Sequence, residues 1–154
     1  YKWTKEIELA ACDKLILPIH ADHPEKHWYL VVVYPRINTI FYYDSISCDR
    51  NEACRIILKW FIADCGHRNL HVDNESKWTI AAGDGVKTQN NAIDCGFFTC
   101  LHAACLSIDR DFDFDRDDIP KFRIWLADVM YREGVRNKSC INENCRKLEF
   151  VDPT

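Results

Sequence analysis

Apolar residues along the chain change period several times, and the changes mark out its elements. His27-Trp28-Tyr29-Leu30-Val31-Val32-Val33-Tyr34 is β-branched or aromatic nearly throughout. That pattern belongs to a strand covered on both faces, at the centre of a sheet. Leu15-Ile16-Leu17-Pro18-Ile19-His20 reads as a second strand, and its proline, with no N–H to donate, puts it at an edge or near a strand end. A polar loop, Ala21 to Lys26, joins the two. Pro35-Arg36-Ile37-Asn38 is a turn and Thr39 to Asp44 another strand, so the spacing predicts an antiparallel hairpin.

Helical periods follow. Between Asn51 and Asp64, Ala53, Ile56, Ile57, Trp60 and Phe61 recur at helical spacing, with Asp49 or Asn51 available as N-cap. Cys65 to Lys77 is polar and irregular, Trp78 to Ala82 a short strand, and Gly83-Asp84-Gly85 a turn. After Gly96, the positions Phe97, Phe98, Leu101, Ala104, Cys105 and Ile108 predict a helix pressed against a core. The acidic run from Asp109 to Asp118 reads as a solvated connection whose last aspartates cap a helix ahead of Pro120. That helix carries Phe122, Trp125, Leu126, Val129 and Met130 on one stripe, expected to be core, as are Trp60 and Trp78. Residues 135–154 form a polar tail. With no internal repeat or boundary, the chain is expected to be one α+β domain over 1–154.

Composition narrows the function classes. Of 154 residues, 47% are hydrophobic and 29% charged, a globular composition in which one core suffices. A net charge of -4 argues against a surface that tracks phosphates, so a protein partner is expected and nucleic acid is not. The 9 cysteines are odd in number, without framework spacing and without a secretory signal ahead of them. They read as reduced thiols of an intracellular protein, most of them small core residues. No apolar run approaches the roughly 20 residues that span a bilayer. The chain begins on Tyr1 without a methionine and enters strand sequence early, so it is expected to be a fragment.

Several chemistries fall away on motif grounds. H-E-x-x-H, G-x-S-x-G, phosphate-loop and dinucleotide motifs are missing from the sequence. Cys65, His67 and His71 with Cys140 and Cys145 are too irregularly spaced for a zinc site. No frame of the acidic run joins a turn glycine at position six to a glutamate at position twelve, which excludes a calcium loop. No metal is expected. Cys95, by contrast, stands where a polar loop becomes an apolar helix, and the positive end of a helix favours a thiolate. His27 begins one strand of the hairpin and Asp44 ends the other, so both lie at one end of the pair. A thiol needs an imidazole to take its proton, and the imidazole needs a group to hold its orientation. Gln89 adds an amide donor for an oxyanion. The competing reading is packing, because nothing local separates Cys95 from Cys100 or Cys105.

The landmarks resemble one family. Pro18-Ile19-His20 then His27-Trp28, Tyr42-Tyr43-Asp44-Ser45, Asn51-Glu52-Ala53-Cys54-Arg55-Ile56, Gln89 with Asp94-Cys95-Gly96, and Pro120-Lys121-Phe122-Arg123 are similar, in order, to the ubiquitin-like-protein-specific cysteine proteases, the sentrin-specific or SUMO proteases. The resemblance implies an α+β papain-like core with a central, mostly antiparallel sheet. It makes His27 the base, Asp44 its orienter, Cys95 the nucleophile and Gln89 the oxyanion donor. Trp28 would wall a narrow tunnel for a Gly-Gly tail, Trp3 would touch the modifier, and His20 would be a secondary contact. No cofactor is implied. The implied partners are SUMO and its conjugates, met by a monomer at an intracellular, nuclear or nuclear-envelope site. Two departures stand out: the loop from Ala21 to Lys26 is longer than in the family, and the upstream W-L-x-D segment has no match. Alternatives are another ubiquitin-like modifier, a viral-type polyprotein, acetyl transfer on the same triad, or a module that binds the modifier without cutting it.

Overall fold

The computed structural model describes residues 4–22 and 26–136, the side chains of 135 and 136 excepted. Trp3, part of the Ala21–Lys26 loop, Cys140, Cys145 and most of the expected tail therefore lie outside the described residues. The chain divides into two compact units, Tyr1–Arg116 and Asp117–Thr154.

The first unit is built on a four-stranded sheet of order β1-β2-β3-β4: β1 (Leu15–Ala21), β2 (His27–Tyr34), β3 (Thr39–Tyr43) and β4 (Thr79–Ala82). β1 with β2 and β2 with β3 run antiparallel, while β3 and β4 are parallel. The predicted hairpin is thus β2–β3. It turns through a short 3-10 segment, Pro35–Ile37, and Asn38 in the left-handed region at φ 47, a conformation asparagine tolerates better than most residues. Pro18 sits on the edge strand β1, as expected.

β2 is the interior strand that its apolar run predicts, and its alternation divides the core. Tyr29, Val31 and Val33 face Cys54, Leu58, Phe61 and Cys65 of α1 (Asn51–His67). Leu30 and Val32, with Tyr43, meet Ala103 and Leu106 of α2 (Cys95–Ser107) on the opposite face. Leu30, Val31, Val32 and Val33 are all 0% exposed, each worth about 1.5–3 kcal/mol of burial.

The helices exist where periodicity puts them, and Phe61 and Phe98 are buried as expected, but part of each buried stripe is shifted. On α1 the core line is Cys54, Leu58, Phe61 and Cys65, leaving Ile56 at 64% and Trp60 at 42% exposure. One residue's rotation is about 100° of helix, enough to carry Trp60 off the core face it was expected to join. Trp78 is half-buried, its ring edge-on to Phe61 at 5.4 Å. On α2 the buried residues are Cys95, Phe98, Thr99 and His102; Ile108 lies beyond the helix end and is 62% exposed. The N-cap of α1 is Arg50, without a side-chain cap, rather than Asp49 or Asn51, and Asp49 Oδ1 instead accepts the Asn51 N–H at 2.7 Å. Gly83 is required where the chain leaves β4: a Cβ there would stand 2.1 Å from the Tyr43 ring.

The second unit contains α3 (Ile119–Arg136), with Pro120 in its first turn as the sequence predicts. Its apolar stripe is not wholly core, since Trp125 is 55% and Met130 67% exposed. Trp125 stacks on Phe122 along its own helix, ring centroids 5.4 Å apart. Among the described residues the cysteines are free, with Cys54, Cys65 and Cys95 buried but Cys48 and Cys100 exposed. No helix of the described residues is long and apolar enough to cross a membrane.

Candidate active site

His27 opens β2 and Asp44 follows the last residue of β3, so the hairpin brings together two side chains 17 residues apart. His27 Nε2 and Asp44 Oδ1 are 2.8 Å apart, and both residues are buried, at 4% and 3% exposure. With the nitrogen donating to the carboxylate, Nδ1 is the ring atom left to exchange a proton with a thiol. The carboxylate is fully engaged. Its Oδ1 also accepts the Ile46 N–H at 2.8 Å, and its Oδ2 accepts from Arg50 Nε at 2.6 Å. The turn that follows closes through the Ser47 N–H to the Asp44 carbonyl at 3.0 Å.

Cys95 is the first residue of α2 and is 7% exposed. The segment before it is held by local side-chain-to-backbone bonds. Asn91 Oδ1 accepts the N–H groups of Ile93 and Asp94 at 3.0 Å each, and Asn91 Nδ2 donates to Asp94 Oδ2 at 2.6 Å. Such Asx geometry turns the chain sharply into the helix. The Asp94 carbonyl then accepts the first helical N–H groups, from Phe97 at 2.9 Å and Phe98 at 3.0 Å. The start of α2 lies against the start of β2: a Cβ built on Gly96 would stand 3.8 Å from Trp28 Cδ1. The thiol-bearing turn therefore borders the tryptophan that neighbours the imidazole in sequence.

Gln89 is tied to the residue after Asp44. Its N–H donates to the Ser45 carbonyl at 2.9 Å, and its side-chain Oε1 accepts the Ser45 hydroxyl at 2.6 Å. Its Nε2 donates to the Asn91 carbonyl at 2.5 Å. An amide nitrogen carries two hydrogens, so one bond to Asn91 leaves a second donor. His20 lies across the β1–β2 register from Trp28, with ring centroids 4.8 Å apart, and its Nδ1 is 3.6 Å from Asp22 Oδ1. It is a neighbour of Trp28 rather than of the His27–Asp44 pair. Trp28 itself is 42% exposed, a flat apolar surface at the site's edge.

Several thiols away from the site are shifted by their surroundings. Burial, reinforced by Asp49, pushes the Cys54 thiol up to about 12. Burial also raises Cys65 and Cys105, with Asp64 and Asp113 adding to the effect and Arg68 and Arg110 opposing it. Thiols shifted this way stay protonated near neutrality and are poor nucleophiles. Among the described residues no cluster of three or more His, Cys, Asp or Glu could hold a metal ion.

Three residues escaped the sequence reading. Arg50 reaches back from the head of α1 to Asp44, Ser45 couples Asp44's turn to Gln89, and His102 lies under the loop. His102 is 1% exposed, ringed by Phe98, Phe112, Phe114 and Tyr43, and its Nε2 accepts the Lys87 N–H at 3.2 Å. Burial, with Lys87 assisting, lowers its pKa to about 4, so it is a neutral acceptor that fixes the backbone two residues before Gln89. A histidine at the fourth core position of a helical stripe was the available signal; Arg50 and Ser45 gave none.

Comparison with known proteins adds an independent line. The model of the Ulp1 protease family, C-terminal catalytic domain, matches residues 1–138. Sentrin-specific protease 5 of Mus musculus is 29% identical over 122 residues, 79% of this chain and 16% of that protein. Sentrin-specific protease 3 of Mus musculus is 31% identical over 122 residues, 79% of this chain and 21% of that protein. The solved C-terminal Ulp1 protease domain in complex with Smt3, the yeast orthologue of SUMO, matches at TM-score 0.63 and 25% identity, covering 80% of this chain and 54% of that one.

Proposed function

This chain belongs to the Ulp1 protease family, as its C-terminal catalytic domain, and on that premise we propose that it is a thiol protease and isopeptidase cutting after the C-terminal Gly-Gly of a ubiquitin-like modifier, SUMO foremost. The observation that carries the reading is the buried His27–Asp44 bond of 2.8 Å at the strand end bordered by the helix start that bears Cys95. The Smt3 complex of a related protease domain supports the choice of modifier. The setting implied by the family is intracellular and nuclear.

In the proposed cycle, His27 Nδ1 takes the Cys95 proton, and the thiolate attacks the carbonyl carbon of the terminal glycine. The resulting oxyanion accepts hydrogen bonds from the free Gln89 amide hydrogen and the Cys95 backbone N–H, a contribution of roughly 3 kcal/mol per donor in comparable sites. Collapse breaks the C–N bond, and His27 returns its proton to the departing lysine amine. Water, deprotonated by His27, then attacks the thioester carbonyl; the C–S bond breaks, freeing the modifier and restoring the thiol. Asp44 holds the imidazole throughout without itself taking a proton. Trp28 covers the backbone of the two glycines, which alone lack side chains to collide with it.

The test is covalent trapping by a SUMO tail bearing an electrophile at its C-terminus. The expected result is a stable adduct on the native chain and none on Cys95→Ala. A native chain that resists labelling as fully as Cys95→Ala would sink the enzymatic reading.

A further inference from the structure

Arg50 is an odd choice for its position. As the N-cap residue of α1 it donates no side-chain cap, and arginine can accept none of the helix's unpaired N–H groups. It also puts a positive charge at the positive end of the helix dipole, where anions are favoured. Local rules broken without local gain point to a role elsewhere in the structure.

That role is legible in four contacts that close a ring. Arg50 Nε lies 2.6 Å from Asp44 Oδ2, both side chains largely buried at 13% and 1% exposure. The guanidinium carbon stands 4.4 Å over the centroid of the Tyr29 ring, within the range of a cation–π contact. Tyr29 in turn stacks on His27, ring centroids 6.4 Å apart and planes 10° from parallel. His27 closes the circuit on Asp44 Oδ1 at 2.8 Å. One planar side chain thus touches both the carboxylate that orients the imidazole and the ring that packs beside it. A guanidinium offers an in-plane donor, a stacking face and a permanent positive charge together.

We infer that Arg50 is a positioning residue of the triad: it pins Asp44 and Tyr29 around His27 and sets the charge that the His27–Cys95 pair works in. This rests on the triad reading above. The imidazole itself bonds Asp44 and stacks on Tyr29. The charged and titratable groups that act on Tyr29 are Arg50 and Cys54 at the head of α1 and Asp44 after β3, with Asp49 farther out beside Tyr42, and Cys95 on α2 is the thiol the proposed mechanism brings to the ring. Arg50 is the cation closest to Asp44 among them. Removing a positive charge disfavours loss of a proton from both thiol and imidazolium, so the whole pH profile of the pair moves to higher pH.

The experiment measures the rate of labelling by the electrophilic SUMO tail against pH for the full chain, with Arg50→Gln, Arg50→Lys and Cys95→Ala. Arg50→Gln is expected to label about tenfold more slowly at neutral pH, the size of coupling found within one hydrogen-bonded network, with its profile displaced to higher pH. Arg50→Lys keeps the charge and is expected to hold the profile in place while losing part of the rate. If both variants slow equally with unmoved profiles, or neither slows, Arg50 is structural and the inference is overturned. If the native chain labels no better than Cys95→Ala, the triad and the ring fall together.

Discussion

The two halves of the candidate site are built in opposite ways. The base half is buried and over-determined: Asp44 accepts bonds from an imidazole, a guanidinium and a backbone N–H at 2.6 to 2.8 Å, and His27 is packed between that carboxylate and Tyr29. The nucleophile half hangs on Asx turns in a loop where Asn91 and Ile93 are exposed and Ile93 reaches 72%. One residue stitches them, since Ser45 donates its hydroxyl to the Gln89 side chain and accepts the Gln89 N–H at its backbone carbonyl. A base must keep one tautomer and one orientation through every turnover, which rigid burial secures. The nucleophile's neighbourhood has to admit a chain end, and a loop held by its own side chains leaves room for one.

This contrast has measurable consequences. The largest is at Asp44. Asp44→Asn keeps the shape but can present an N–H to the imidazole and strands the Arg50 charge; turnover of a modifier–lysine conjugate is expected to fall about ten-thousandfold, the scale of that change in other triads. At Gln89, Gln89→Ala removes the proposed oxyanion donor and the acceptor of the Ser45 hydroxyl, while the bonds of Asp44 to His27 and Arg50 stay in place. Its kcat is expected to fall about a hundredfold with modifier affinity unchanged in a binding titration, and a loss of affinity instead would make Gln89 a docking residue.

The smallest effect concerns the floor of the loop. His102 is neutral in the fold, with a pKa of about 4 against 6.5 for the free side chain, so the unfolded chain takes up its proton first as pH falls. Stability is therefore whole above pH 6.5 and drains away toward pH 4, by roughly 3 kcal/mol from this group. His102→Gln retains an acceptor for Lys87 and is expected to flatten that part of the stability curve. Urea unfolding across the range checks it, and equal slopes for the two proteins would refute the assignment.

Much of this architecture was legible beforehand, and the pattern of hits is physical. The β2 run and the hairpin were readable because strand period and a short turn leave little freedom, and the His27–Asp44 contact follows once the register is set. On the helix faces Phe61 and Phe98 were read correctly, but a stripe traced through large side chains passed over small ones: Cys54 and Cys65, not Trp60, complete the buried line of α1. Cys95 could be singled out only through distant partners. Arg50 was invisible because its value depends on a side chain reaching back across a turn with Ser47 in the left-handed region at φ 58, which no periodicity records.

The order of the proposed triad along the chain also sets a sequence of events in time. β2 and β3 close through a short turn, and hairpins form within about ten microseconds of becoming free to do so. The imidazole–carboxylate pair can thus be assembled while α2 is still being synthesised, since synthesis proceeds at only about 5–20 residues per second. α2 must then dock across the far face of the sheet, a longer-range contact that comes at a greater entropic cost. On the proposed mechanism, a nascent chain therefore carries its paired imidazole and carboxylate before α2 places the Cys95 thiol beside them.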